Sequence, residues 1–304
     1  MHSSNPDRPL EPTEALRLAD ALRAVLEIVR RRMGGPSLWS ATWDSQAAGD
    51  IAATEALPCA DGSAWGKNPA STMQTVAGAL VETVIDHVDA VQFMLLRAGQ
   101  LMLPIETQTR AASEAAAQAW WLLDPRLSPR TRMARLYILR RGSGTWLEHT
   151  LGNMGIATSS AYGNLPADLD DYYETRHGLT ADRKPNGNWI GSEGERPLGF
   201  TDLVAAFHAA TRQNPAKALY SYYSGAPHAM FWRTAQKYRE VTDAAGRSVQ
   251  VAWAPAAVFY AAVTGCVEAL WRPAHRAFTY LGRSAAANEL ITTVRSLSAT
   301  ALKP

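Results

Sequence analysis

Apolar residues recur at helical spacing over most of the chain, and that rhythm sets the first picture. Residues 13–33 carry Leu16, Leu22, Leu26 and Val29 on one stripe. Arg30, Arg31 and Arg32 suit the negative end of that helix dipole, and Gly34-Gly35-Pro36 stops it. Residues 73–98 line Leu80, Val84, Val88, Val91 and Leu95 along one side, with His87 beside the stripe. A helix over 104–123 starts with Pro104 in its first turn and ends at Asp124-Pro125. The pattern then predicts a basic helix over 128–141 and a separate helix over 146–154. Further helices are expected over 200–212, 215–226, 228–241, 254–271, 273–281 and 284–299, with one short strand within 248–253.

Two stretches lack this rhythm. Residues 36–72 read as a long connection anchored by Trp39, Trp43 and Trp65. Residues 155–199 are punctuated by glycine, asparagine and proline, with a short helix over Pro166–His177. So long an irregular segment in a compact domain is often functional, as a lid is. No internal repeat and no strand–helix–strand alternation is visible. The expectation is an all-α, single-domain multi-helix bundle over 13–304, with a long irregular connection near 155–199 and a disordered, proline-rich tail at 1–12.

Composition narrows the class of function. The 304 residues are 47% hydrophobic and 19% charged, as in a globular protein, and the net charge of +2 gives no nucleic-acid footprint. Of thirty basic residues twenty-five are arginine, which with the abundant alanine suggests a GC-rich bacterial genome. Cys59 and Cys266 form no Cys-x-x-Cys pair, so zinc ribbons, dithiol redox motifs and a disulfide framework are all excluded. The N-terminal residues lack the apolar core of a signal peptide, and no run of eighteen apolar residues marks a membrane span. A cytoplasmic location is the expectation.

Chemistry is carried by polar residues set among small or apolar ones. Arg110 and Glu114 are four apart in an alanine-rich helix that runs into Trp120-Trp121, so the three side chains Arg110, Glu114 and Trp121 share a face. A second segment holds Tyr220, Tyr223, Ser224 and, after Pro227, His228. If the segments meet, His228 and Glu114 can transfer a proton near neutral pH, and Arg110 can hold an anionic group. Tyr220, Tyr223, Ser224, Trp121 and His87 would line the substrate. A third candidate is Asp168-Leu-Asp170-Asp171-Tyr-Tyr-Glu174. In a helix its Asp170, Asp171 and Glu174 fall on adjacent turns, as Mg²⁺ ligation requires. Acidic residues are equally ordinary at a solvated helix start. No other cofactor is expected.

The Arg110-x-x-x-Glu114 helix with its Trp-Leu-Leu-Asp-Pro ending resembles a broad set of uncharacterised bacterial all-helical proteins, distantly similar to HEPN-type bundles. Asp86-His87 and the Tyr220-x-x-x-Ser224-x-x-x-His228 segment carry the rest of the likeness, which covers residues 75–240. HEPN ribonucleases place a histidine four to six residues after an arginine on one helix. That spacing is missing, which argues against RNA cleavage. Asp-Asp-x-x-Glu is similar to the metal motif of class I terpene synthases, and Asp-x-Asp-Asp to the acid motif of class II cyclases, without the second metal motif of the former. Two readings stand at this point. One is an enzyme of specialised metabolism acting on a hydrophobic or aromatic small molecule by acid–base chemistry, a lyase or cyclase among the options. The other is a non-enzymatic, HEPN-like binding or regulatory module, with a second copy of the chain as a candidate partner.

Overall fold

The computed structural model describes residues 8–33, 40–97, 102–155, 166–209, 238–242, 246–252 and 255–302. Helices dominate: α1 (Pro12–Met33), α2 (Gln46–Glu55), α3 (Asn68–Leu95), α4 (Met102–Leu122), α5 (Pro129–Asn153), α6 (Pro166–Asp170), α7 (Phe200–Ala209), α8 (Ala256–Tyr280) and α9 (Ser284–Thr300). A π-helical turn (Asp171–Arg176) continues α6. Two antiparallel hairpins complete the described fold: β1 (Ala181–Arg183) with β2 (Trp189–Ser192), and β3 (Tyr238–Thr242) with β4 (Ser248–Ala252). Among the described residues, no helix is long and apolar enough to cross a membrane. The all-α multi-helix bundle expected from the periodicity is what the chain forms.

The core is built around α4. Its buried Ala112, Ala115, Ala116, Ala117 and Ala119 let neighbours approach closely, and α3, α8, α7 and α5 all pack on it. At the α8 crossing even a methyl group on Gly265 would press on Thr109 Cγ2 at 3.3 Å. The helices α3 and α4 run antiparallel, since His87 late in α3 bonds Gln108 early in α4. The C-terminus of α4 is unusually well capped. Three arginines from other helical turns donate to its last carbonyls: Arg276 to Trp120, Arg135 to Trp121 and Arg132 to Leu122. Cations there satisfy orphan acceptors and the negative end of the helix dipole together. Arg132 is 0% exposed and its charge is met by Asp50 on α2 at 2.8 Å, which in turn accepts from Tyr280 at 2.9 Å.

Several sequence expectations need correction. In α1 the buried stripe is Leu18, Leu22, Val25, Leu26 and Val29, while Leu16 faces solvent. The connection over 36–72 holds α2 and the start of α3, nucleated by a Ser45 cap that accepts from Ala48 N. Pro273 does not divide a helix: α8 runs through it, because packing on both flanks outweighs the lost backbone bond. The end of the expected helix over 228–241 is strand β3 instead, where Val241 and Thr242 favour extended backbone and Gly246 (φ +75°) turns the hairpin. Residues 8–11, within the expected disordered tail, are held in place. Pro9 bridges Pro255, Leu10 is buried, and Arg8 pairs with Glu14 at 2.5 Å, holding that carboxyl down at about 2.

The most consequential correction concerns α5. The apolar pattern predicts separate helices over 128–141 and 146–154, yet one helix spans Pro129–Asn153 and runs through Gly142-Ser143-Gly144. Ser128 caps its start by accepting from Thr131 N at 3.1 Å, and its arginines lock it to its surroundings. Arg130, Arg132, Arg135, Arg140 and Arg141 lie over the rings of Trp65, Tyr280, Trp121, Tyr173 and Trp189 respectively, at 4.5 to 5.9 Å. Planar guanidinium suits this stacking where an ammonium does not. Tertiary contacts thus override two weak helix formers in the middle of the helix.

Candidate functional site

Where α5 passes Gly142-Ser143-Gly144 it presents almost no side chain, and the missing bulk leaves a trough. Three adjoining cavities follow α5 there. The first, of about 520 Å³, lies between Trp121 of α4, Leu139 and Trp146 of α5, and Leu198, Phe200 and Leu203 at the entry to α7. The second, of about 420 Å³, continues between α5 and the Thr72, Val76 and Leu80 side of α3. These two share Gln118, Leu139 and Ser143 as common wall. The third, of about 500 Å³, shares Thr72 and Arg140 with the second and ends on Asn68, Asp168 and Tyr172. The first cavity is apolar and keeps large rings at its mouth: Trp146 is 69% exposed, and Phe200 and Leu198 are exposed beside it. Contiguous apolar surface left open to water in a concave setting is the signature of a binding site rather than of a finished core.

The polar end is framed by a dense ion-pair network. Tyr137 donates to Asp170 at 2.6 Å and also bonds Glu174. Arg141 forks onto Asp170 at 2.7 and 3.0 Å, and Arg183 pairs with Glu174 at 2.7 Å. Burial pushes the Asp170 carboxyl up, but the Arg141 and Tyr137 hydrogen bonds outweigh it and hold it below the usual carboxylate range. Burial, together with its two carboxylate partners, pushes the Tyr137 phenol well up, so it stays protonated. The π-turn sends Tyr173 inward to stack on Tyr137 at 5.0 Å and leaves Tyr172 on the cavity wall. It ends at buried His177, whose Nδ1 bonds the Tyr172 carbonyl at 2.6 Å and whose ring meets the Trp65 ring at 5.2 Å.

The acidic residues therefore do not converge as ligands. Asp170 and Glu174 serve as counter-ions to Arg141 and Arg183, whereas Asp171 points to solvent. Among the described residues no group of three or more His, Cys, Asp or Glu side chains is arranged to hold a metal ion.

The other expected site residues divide into two groups. Arg110 and Glu114 do pair, at 2.8 Å, and are half-buried with side chains 20% and 23% exposed. They continue the α4 face that carries Gln118 and Trp121 into the groove, and Gln118 Nε2 donates to the Glu114 carbonyl at 3.3 Å. Trp121 forms part of the groove wall. His87, also read as substrate-binding, lines none of these cavities and is bonded to Gln108 at 2.5 Å. Tyr220, Tyr223, Ser224 and His228 lie outside the described residues. Sequence reasoning missed Leu139, Gly142, Ser143, Trp146, Leu198 and Phe200. The available signal was a Gly-Ser-Gly inside a strongly basic helix, joined to an apolar Pro197–Phe200 run in an otherwise polar stretch. It also missed a buried acid–histidine contact, His208 Nδ1 to Glu268 Oε2 at 3.0 Å between α7 and α8, which no local spacing could reveal.

No family model, no curated protein and no solved structure matches this chain.

Two consequences can be measured directly. Gly142 is exposed, and a methyl group there meets nothing within 4 Å. Gly142→Ala should therefore raise stability by about 0.5–1 kcal/mol through helix propensity, seen as a higher urea midpoint. The second consequence concerns pH. Burial lowers the basicity of His177, and the same holds for His275. Below the ordinary histidine pKa of about 6.5 the unfolded chain then takes up protons that the folded chain refuses, so stability should fall as pH drops from about 7 to about 5. Denaturation at several pH values should show that slope, and it should be shallower in His177→Phe.

Proposed function

We propose that this protein binds a hydrophobic or aromatic small molecule in the groove along α5. The observation that carries the reading is the Gly142-Ser143-Gly144 trough, where α5 presents only one small side chain, faced by exposed Trp146, Leu198 and Phe200 and opening on a cavity of about 520 Å³. That volume lies within the roughly 300–1,000 Å³ range of ligand sites, and its few polar groups, Gln118 and Ser143, suit orientation rather than affinity. Chemistry on the bound molecule forms the second tier of the proposal. Arg110 and Glu114 sit one to two turns beyond Gln118 on the same face of α4, where an acid–base step with His228 would draw on them. The ion pair between them supports this tier by keeping two ionic groups half-buried beside the groove. A lyase or cyclase of specialised metabolism and a non-catalytic binding module would use the same groove, and turnover distinguishes them.

The test is a titration with N-phenylnaphthylamine, a neutral aromatic probe that brightens in apolar sites. The proposal expects a saturable, one-to-one enhancement with quenching of tryptophan emission, because Trp121 and Trp146 are walls of the site. A linear, non-saturating rise would refute it.

A further inference from the structure

Resting on the groove reading, we infer that the ligand is an elongated, uncharged molecule whose two apolar arms lie in the first and second cavities and whose hydroxyl, set between the arms, meets Gln118. The two cavities have similar volumes, about 520 and 420 Å³, and they share Gln118, Leu139 and Ser143. Glycines flank that junction, Gly142 lining the first cavity and Gly144 the second. An occupant of both cavities therefore passes α5 where its side chains are smallest. Away from the junction the walls are largely apolar, with Trp121, Trp146 and Phe200 in the first cavity and Val76, Leu80 and Leu147 in the second. Thr72 and Arg140 are the other polar residues of the second cavity, and they stand at the end it shares with the third.

The junction is the polar point along this path, and two helices contribute to it. A glutamine amide offers two N–H donors and an acceptor oxygen. The Gln118 side chain makes one hydrogen bond, from Nε2 to the Glu114 carbonyl at 3.3 Å, which leaves Oε1 and the second N–H for a ligand. Ser143 is exposed, and its hydroxyl bonds no described residue. A hydrocarbon chain laid across these groups strips them of water and leaves them unpaired, which costs free energy. A hydroxyl at the same place can donate to Gln118 Oε1 and accept from Ser143, so the penalty falls away. Arms of comparable length on either side follow from the comparable volumes. Nothing in the walls calls for a charge: no charged side chain lines the first cavity, and Arg140 in the second is engaged by the Tyr173 hydroxyl at 3.1 Å with its guanidinium over that ring.

Positional isomers separate this inference from the reading beneath it. Undecan-6-ol carries its hydroxyl between two equal arms, undecan-1-ol carries it at one end, and undecan-6-one keeps the position but has no proton to donate. Each, below its solubility limit, competes against bound N-phenylnaphthylamine. The inference expects undecan-6-ol to bind about tenfold tighter than undecan-1-ol and roughly fivefold tighter than the ketone. Shortening both arms, in heptan-4-ol, should weaken binding at least about tenfold. In Gln118→Leu the advantage of undecan-6-ol over both competitors should vanish, while undecan-1-ol binds at least as well as before. Undecan-1-ol binding as tightly as undecan-6-ol to the unaltered protein, a comparison that needs no variant, overturns the inference and leaves the groove standing. An advantage that survives in Gln118→Leu, or an equal loss of both alcohols there, overturns the role given to Gln118. A smaller loss than expected for heptan-4-ol overturns the occupation of both cavities. Failure of the neutral probe itself to bind overturns the groove reading, and the inference with it.

Discussion

Replacing Asp50 by alanine should cost this protein about 3–5 kcal/mol, the largest effect of any single substitution considered. Arg132 is completely buried on α5, and its only carboxylate partner in the described structure is Asp50 on α2, at 2.8 Å. Without Asp50 the guanidinium keeps its bonds to the Leu122 and Leu127 carbonyls and its place over the Tyr280 ring at 4.9 Å, but its charge is uncompensated in a dry core. The Tyr280 hydroxyl loses its acceptor in the same step. Chemical denaturation should show the loss as a lower midpoint with an unchanged slope, and heating as a fall in Tm of roughly 6–10 °C. The triple substitution Asp50→Leu, Arg132→Met, Tyr280→Phe removes the unpaired charge and should recover part of the stability, the remaining loss being the cap that Arg132 gives the Leu122 carbonyl. An Asp50→Ala loss below about 1 kcal/mol would mean that Arg132 reaches water or another anion.

Filling the trough should abolish binding while sparing the fold. Ser143 faces solvent on α5 and lines both the first and second cavities. An indole at this position occupies volume between Leu139, Gln118 and Trp146, where the ligand body would lie. Exposed helix positions accept tryptophan with a propensity cost of only a few tenths of a kcal/mol, so the variant should melt within a few degrees of the parent. Affinity for N-phenylnaphthylamine should fall at least about a hundredfold, since the two cavities are closed together and the lost contact is the bulk of the apolar burial. Ser143→Ala, which removes a hydroxyl and adds no volume, should bind nearly as the parent does. If the tryptophan variant binds as the parent does, the probe lies elsewhere.

The fold was largely legible because burial is periodic. Leu22, Leu26 and Val29 of α1, Val84, Val88, Val91 and Leu95 of α3, and the alanine face of α4 each repeat every three to four residues, and each is buried. What escaped was decided by contacts between distant segments. The Gly142-Ser143-Gly144 run reads locally as a break, and only the stacking of α5 arginines on Trp121, Tyr173 and Trp189 explains why the helix continues. Those same arginines account for the preference for Arg over Lys in physical terms, alongside any genomic bias. The groove was invisible for a related reason: it is made by the absence of side chains on one helix and by walls drawn from residues 72–80, 118–121 and 198–203. The acidic run at 168–174 was visible, but its meaning was not. Its Tyr137, Arg141 and Arg183 partners lie up to 37 residues away, and they turn a metal-like pattern into a set of counter-ions. The Arg110–Glu114 pair was readable from spacing alone, since an i,i+4 arrangement on a helix needs no tertiary information.

The central claim is that the α5 groove is a ligand site, and a crystal structure of the protein with N-phenylnaphthylamine tests it most directly. The account predicts one probe molecule between Trp121, Leu139, Trp146 and Phe200, with its rings over Gly142 and Ser143. A groove left empty at full probe occupancy elsewhere on the molecule would contradict it.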